Sequence, residues 1–324
     1  MAIRFRPGKL ILFTLILLAA CAAPPKPLLR PNGVAVAQDG SLYVMDRGNF
    51  RVVHLSASGR FLGAFGQLGD GPQDIYYGWN VALDQAGNVY ICNRVATEDG
   101  VSTKQDSIKV FSPDGRLLRE VGRQDYETTD TSTQDHRPYG LKFDRLGRLY
   151  VANFGTDTVR VFDPQGNLLA TFFGDKGSQD GQFNGLNDVA IDDERGLMYV
   201  VDGNNSRIQQ FDLGTTATGA PTVTHRLSWG TYGTGPGEFA YPQFVAVNRT
   251  NGQVYVADMA NRRIQVFDPQ GKYIASFVPN LKNWQVMGLN VGPDGAVYAA
   301  DAFNNVIWVF QPDGRVRSRI EVRP

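Results

Sequence analysis

From residue 31 onward the chain is built of apolar runs about four to six residues long, punctuated by Gly, Pro, Asn and Asp. The stretch "VADMANRRIQVFDPQGKYIASF" at 256–277 is typical: "VA", "RIQVF" and "YIASF" alternate or cluster Val, Ile, Tyr and Phe, and "DMANR" and "DPQG" separate them. Runs this short, rich in β-branched and aromatic residues and bounded by tight-turn residues, predict antiparallel strands. No amphipathic window of helical period and useful length appears outside the first 20 residues.

The same pattern recurs six times. Aligning the residue just before each first apolar run gives Gly33, Asn80, Gly140, Asp188, Phe244 and Gly288, at spacings of 47, 60, 48, 56 and 44. Such a period suits a propeller blade and is long for a leucine-rich or ankyrin unit. Each copy predicts four strands, the first two joined through a turn containing Gly40, Gly87, Gly147, Gly196, Gly252 or Gly295. The fold class is therefore all-β, a six-bladed β-propeller of four-stranded antiparallel blades, because radial packing protects edges that a linear stack leaves open. The blades are placed at about 31–66, 79–122, 138–174, 186–230, 241–277 and 287–322. The sixth copy holds four strands of its own, so the ring is expected to close without a strand from 27–31.

The repeat resembles the NHL family of six-bladed propellers, whose signature runs D-x-x-N-x-R-[IV]-x-x-F-x-x-x-G. Asp46, Asn49, Arg51 and Val52 match it, as do Asp202, Asn205, Arg207 and Ile208, and Asp258, Asn261, Arg263 and Ile264. The last copy keeps Asp301 and Asn304 but has Val306 in place of Arg; the third has Asn153, Thr156 and Thr158; "ATEDGVSTKQD" opens the second. The polar residues of the signature are expected to be scaffold. Each Asp would accept backbone N–H bonds in the following turn, and each Arg would lie over the neighbouring sheet and pair with acidic groups.

The N-terminus changes the picture of where the chain works. Arg4, Arg6 and Lys9 precede "LILFTLILLAA" and then Cys21, the order of an export signal. "LAAC" resembles the lipobox of bacterial lipoproteins, which implies a signal peptide over 1–20, lipidation at Cys21, and membrane attachment through that lipid. Residues 21–30, with "AAPPKP", read as a stiff Pro-rich tether. With Ala22 after the cysteine, the resemblance implies an outer-membrane protein facing the periplasm or the cell surface. Lys+Arg and Asp+Glu balance at 32 each, and the basic residues are scattered, so no nucleic-acid partner is expected. The second cysteine, Cys92, is expected to be a buried small hydrophobe, and no disulfide is predicted.

Candidate chemistry gathers on the connections that lead into each first strand. They carry Tyr76, Tyr77, Trp79, Tyr126, His136, Tyr139, Phe183, Tyr241, Phe244 and Trp284. Phe183 and Tyr241 are expected to lock neighbouring blades. The ligand-binding candidates are Trp79, Asn80, His136, Tyr139, Asn187, Gln243 and Trp284, since rings bury area and amides orient a neutral or weakly polar ligand. Two polar insertions, at 93–107 and 126–138, resemble binding loops carried on a rigid scaffold.

Some members of the propeller group look like amidating lyases, which use histidines from several blades. This chain has only His54, His136 and His225, and only His136 is expected at the mouth, so three converging imidazoles are not predicted. A calcium-dependent lactonase type of site would draw on Asp188, Asn80 and Asn187, but no Glu stands at the first blade, where Asn32 and Gly33 lie. No catalytic residue, metal ligand or cofactor is assigned; a divalent ion such as calcium in the channel belongs to the alternative. The expected function is a cell-envelope binding or scaffolding propeller that recognises a protein, peptide or glycan. The alternative is a metal-dependent lyase or lactonase-like hydrolase.

Overall fold

A computed structural model describes residues 25–69, 71–94, 106–122, 137–279, 281 and 283–322. Residues 1–20, expected to be a signal peptide, and Cys21 lie outside them, as do most of the insertion at 93–107 and nearly all of that at 126–138. Among the described residues no helix is long and apolar enough to cross a membrane.

Twenty-four strands form six sheets of four. Blade one holds β1 to β4 (Pro31–Val36, Leu42–Asp46, Arg51–Leu55, Phe61–Phe65), and blade two β5 to β8 (Tyr77–Leu83, Val89–Arg94, Ser107–Phe111, Leu117–Val121). Blade three holds β9 to β12 (Pro138–Phe143, Leu149–Asn153, Thr158–Phe162, Leu168–Phe173), and blade four β13 to β16 (Leu186–Asp192, Leu197–Asp202, Arg207–Thr215, Pro221–Trp229). Blade five holds β17 to β20 (Pro242–Val247, Val254–Asp258, Arg263–Phe267, Tyr273–Phe277), and blade six β21 to β24 (Val286–Val291, Val297–Asp301, Val306–Phe310, Val316–Ile320). Every blade is antiparallel with its strands in sequence order. The first strands neighbour one another around a ring in which β21 meets β1, so they line a central channel.

Burial explains the graded strand composition. Second strands are buried throughout, as in the all-buried "VYVAD" of β18, whereas fourth strands such as β4 and β12 are half-exposed edges. Successive sheets bury apolar faces against each other. Phe183 and Phe239, both wholly buried, occupy equivalent places between blades three and four and between blades four and five. Phe183 thus locks blades as expected; at the next junction the lock is Phe239, and Tyr241 is only half-buried, with a positive φ of 56°.

The ring closes as the sequence indicates, with β24 inside its own blade. The segment before β1 still crosses the seam without forming a strand. Leu28 packs in one cluster with Ile320 and Val322, and Arg30 N donates to Asn305 Oδ1 at 2.7 Å.

The signature residues are scaffold, with a geometry the sequence does not show. Asp202 Oδ1 accepts from Asn184 N (2.9 Å) in the preceding interblade loop, and its Oδ2 accepts from Arg207 Nε (2.7 Å) and Gln209 Nε2 (3.2 Å). Asp258 repeats this with Ala240 N, Arg263 Nε and Gln265 Nε2, and Asp46 receives Leu29 N and Arg51 Nε. The carboxylates therefore hold the preceding loop. The arginines stay within their own blade and spend their outer nitrogens on that loop's carbonyls, as Arg263 does on Gly235 and Glu238. Lying over the neighbouring sheet would have left those carbonyls unpaired. Burial pushes the Asp202 carboxyl up, against the lowering effect of these donors.

Candidate functional site

Each first strand breaks register with its second strand at one place. The residues inside the breaks are Asn32 and Gly33, Trp79 and Asn80, Tyr139, Asn187 and Asp188, Gln243, and Met287 and Gly288. A bulge re-aims side chains that a regular pleat would send into the sheet faces, and here six bulges encircle one axis. The candidates Trp79, Asn80, Tyr139, Asn187 and Gln243 all lie in this ring. His136 lies outside the described residues. Trp284 precedes β21 and is 2% exposed, packed between blades five and six, with its indole N–H donated to the Arg262 carbonyl. Its side chain belongs to the core of that junction.

At the upper mouth, where the loops between blades meet the β2–β3-type turns, aromatic rings form a continuous run. Tyr139 stacks on Trp79 (centroids 4.4 Å apart, planes at 19°) and on Phe154 (5.1 Å, 24°). The Arg47 guanidinium lies 4.4 Å from the Trp79 centroid and 5.5 Å from that of Tyr77. All four residues of the run Arg47, Trp79, Tyr139 and Phe154 are half-buried. Arg47 and Phe154 escaped sequence reasoning, although both stand one place after the residue that ends a second strand, at the signature's first variable position. That position was legible as part of the turn, but nothing in the repeat says it faces the axis.

Below the run the channel waist is polar. Asn80 Oδ1 accepts from Val81 N (2.9 Å), and Asn187 Nδ2 donates to Pro242 O (3.1 Å). Asn187 Oδ1, Gln243 Oε1, Asn32 Nδ2 and Trp79 Nε1 are buried without a hydrogen-bond partner among the described residues. Unpaired buried groups are costly, so they mark places that water or a ligand's polar atoms would satisfy. Asp188 is wholly buried: Oδ2 accepts from Val245 N (3.1 Å) and lies 4.0 Å from Lys142 Nζ, and Oδ1 has no partner. Burial pushes its carboxyl up, with Lys142 and the backbone donors opposing. Gly140 makes this possible, since a side chain there would overlap Asp188 Oδ1.

The two imidazoles among the described residues lie on different blades. His54 is on β3, stacked on Tyr43 (4.2 Å), and His225 is on β16, the outer edge of blade four, with Nε2 2.9 Å from Ser228 Oγ. Among the described residues no group of three or more His, Cys, Asp or Glu is placed to hold a metal. Cys92 is buried and burial pushes its thiol well up, which makes it a small hydrophobe rather than a nucleophile.

This closed ring of bulged sheets is a six-bladed propeller, and the NHL repeat matches two stretches of it, residues 28–55 and 239–267. Peptidylglycine alpha-amidating monooxygenase of Rattus norvegicus is 28% identical over 228 residues, covering 63% of this chain and 21% of its own length. The chain thus corresponds to about a fifth of that relative. NHL repeat-containing protein 3 of Mus musculus is 29% identical over 210 residues, covering 58% of this chain and 51% of its own. A solved gluconolactonase from Xanthomonas campestris superposes with a TM-score of 0.59 at 14% identity, over 87% of this chain and 85% of its own, a likeness of fold.

Proposed function

We propose that the chain is an exported, lipid-anchored binding module of a bacterial cell envelope, held at the outer membrane through Cys21, and that its upper mouth recognises a peptide, protein or glycan chain. The observation that carries this is the run Arg47, Trp79, Tyr139 and Phe154, stacked and half-exposed on a rigid ring. Stacked rings offer a flat apolar surface with little entropy left to lose, suited to sugar faces or to peptide side chains. The cation over Trp79 adds attraction for a carboxylate or carbonyl, and the unpaired amide oxygens of Asn187 and Gln243 would accept N–H or O–H donors from the chain bound above them. The naming of the rat relative for peptidylglycine supports a peptide in particular.

The test is to screen peptide and glycan arrays with the purified protein, then titrate the strongest hit into wild type, Tyr139→Ala and Arg47→Ala. Both variants should lose about tenfold or more in affinity, the size of a lost stacking or cation contact in a desolvated site. Wild-type affinity in both would remove the mouth from recognition. Incorporation of labelled palmitate in wild type but not in Cys21→Ser tests the anchor.

The second reading, a metal-dependent lyase or lactonase-like hydrolase, is favoured by one observation: the partnerless oxygens of Asp188, Asn187 and Gln243 on adjacent inner strands. The residues fit such an ion poorly. Only Asp188 brings charge, and Lys142 already stands 4.0 Å from it. Calcium raising the melting temperature in wild type but not in Asp188→Asn would favour this reading over the first.

A further inference from the structure

The channel has a second end, and its chemistry differs. Two residues beyond the aligned repeat position, the six inner strands carry Ala35, Ala82, Lys142, Ala190, Ala246 and Asn290. Four methyl groups leave space where longer side chains would meet. The channel widens there into a cavity of about 740 Å³ that all six of these residues line. Above it Trp79 packs against the cluster of blades two and three and, across the axis, that of blades five and six, so the indole lies over the channel. The cavity opens through the face formed by the β1–β2-type turns.

Within it the one cation on an inner strand is Lys142. Its Nζ has the 4.0 Å approach to Asp188 and no hydrogen bond to any described residue. The ammonium is partly exposed to a cavity whose wall mixes the alanines with polar groups such as Gln38, Gln85 and Asn290, so its donors are open to a ligand. Burial pushes the Asp188 carboxyl up, with Lys142 opposing. Asn290 faces it from the opposite blade, with Nδ2 donated to Val34 O (3.1 Å). At the rim, the Arg249 guanidinium is spent on the carbonyls of Ile191 and Phe143, and Asp39 is held ionised by its hydrogen bonds to Ser41.

We infer that this lower cavity is a binding site for a small organic monoanion, whose carboxylate meets Lys142 and whose apolar body fills the alanine-walled space. The volume lies in the range of small-molecule sites. The carboxylates of Asp39, Asp84 and Asp144 also line this end and disfavour polyanions. The site is separate from the upper mouth and does not depend on what binds there.

Hexanoate is a suitable probe, with hexan-1-ol as its neutral counterpart and inorganic phosphate as a compact anion. Lysines of the purified protein are converted to ¹³C-dimethyl derivatives and followed by NMR. Hexanoate should move the Lys142 resonance saturably, while hexanol and phosphate bind about tenfold more weakly or worse, and Lys142→Gln should abolish the hexanoate response. Equal binding of hexanol, equal binding of phosphate, or hexanoate binding that survives Lys142→Gln would each overturn the proposal, as would the lack of any saturable shift. Should Lys142→Gln fail to fold, Ala246→Leu fills the cavity and keeps the ammonium; undiminished hexanoate binding there overturns it equally.

Discussion

The indole N–H of Trp308 donates to Asp301 Oδ2 at 3.1 Å, and it stands where Gln209 and Gln265 make the same contact in blades four and five. Blade six, which has Val306 in place of the signature arginine, thus keeps a donor on the buried carboxylate from two residues further along. The acid, present in four of the six blades, ties the interblade loop, here through Gln285 N (3.1 Å), and in blade two the amide oxygen of Asn93 does the same for Tyr76 N (2.9 Å).

Removing the acid should therefore cost more than removing one donor. Asp258→Ala strands Arg263, Gln265 and the Ala240 N–H and is expected to destabilise by roughly 3–5 kcal/mol. Trp308→Phe leaves Asp301 with its remaining donors and should cost about 1–3 kcal/mol. Urea unfolding of both variants decides the order; a smaller loss for Asp258→Ala would show that the carboxylates are incidental.

Gly140 and Asp188 should be coupled. Gly140→Ala forces the buried carboxylate aside and is expected to cost about 1–3 kcal/mol by overpacking. In an Asp188→Ala background the same change should cost measurably less, a coupling that a double-mutant cycle reads directly. Additive losses would mean that the glycine serves only its own backbone.

Asp188 should also leave a mark on the pH dependence. Its folded-state pKa is raised by burial above the unfolded value of about 3.9, so its stabilising contribution is complete below that pH and is lost as pH rises through the folded value. Asp188→Asn keeps an acceptor for Val245 N and has no such loss. Its melting temperature relative to wild type should therefore rise between pH 4 and pH 7. A relative melting temperature that falls over that window would mean the ionised form is needed by the fold.

At the alkaline end, burial pushes the Tyr199 and Tyr255 hydroxyls up to about 12. The unfolded chain gives up these protons near pH 10, so stability held below that pH should drain away between about 10 and 12. Absorbance at the phenolate band should show these residues ionising together with unfolding, and Tyr255→Phe should shallow the decline. Ionisation at pH 10 in a still-folded protein would contradict their burial.

The blade count, the four strands of each blade and the Phe183 lock were legible along the chain, because strand period and turn residues are local properties and the repeat states them six times. The candidate mouth was legible in part. Trp79, Asn80, Tyr139, Asn187 and Gln243 precede or open first strands, and ring geometry alone brings that end to the axis. Trp284 stands four residues before the aligned Gly288, where Trp79 stands one before Asn80, and it packs between blades five and six with its indole N–H on the Arg262 carbonyl.

By itself the sequence determined the propeller: alternation, glycine turns and a repeated Asp-Asn-Arg pattern constrain the backbone within each blade and demand a radial partner for every apolar face. Only the tertiary structure decided which side chains share the channel. The bulges turn residues from six blades toward one axis, and closure of the ring sets Trp79 across it, Lys142 opposite Asn290, and Arg47 over a ring 32 residues away in the chain. Those meetings depend on through-space approach between strands far apart in sequence, which no local pattern of apolar and polar residues encodes.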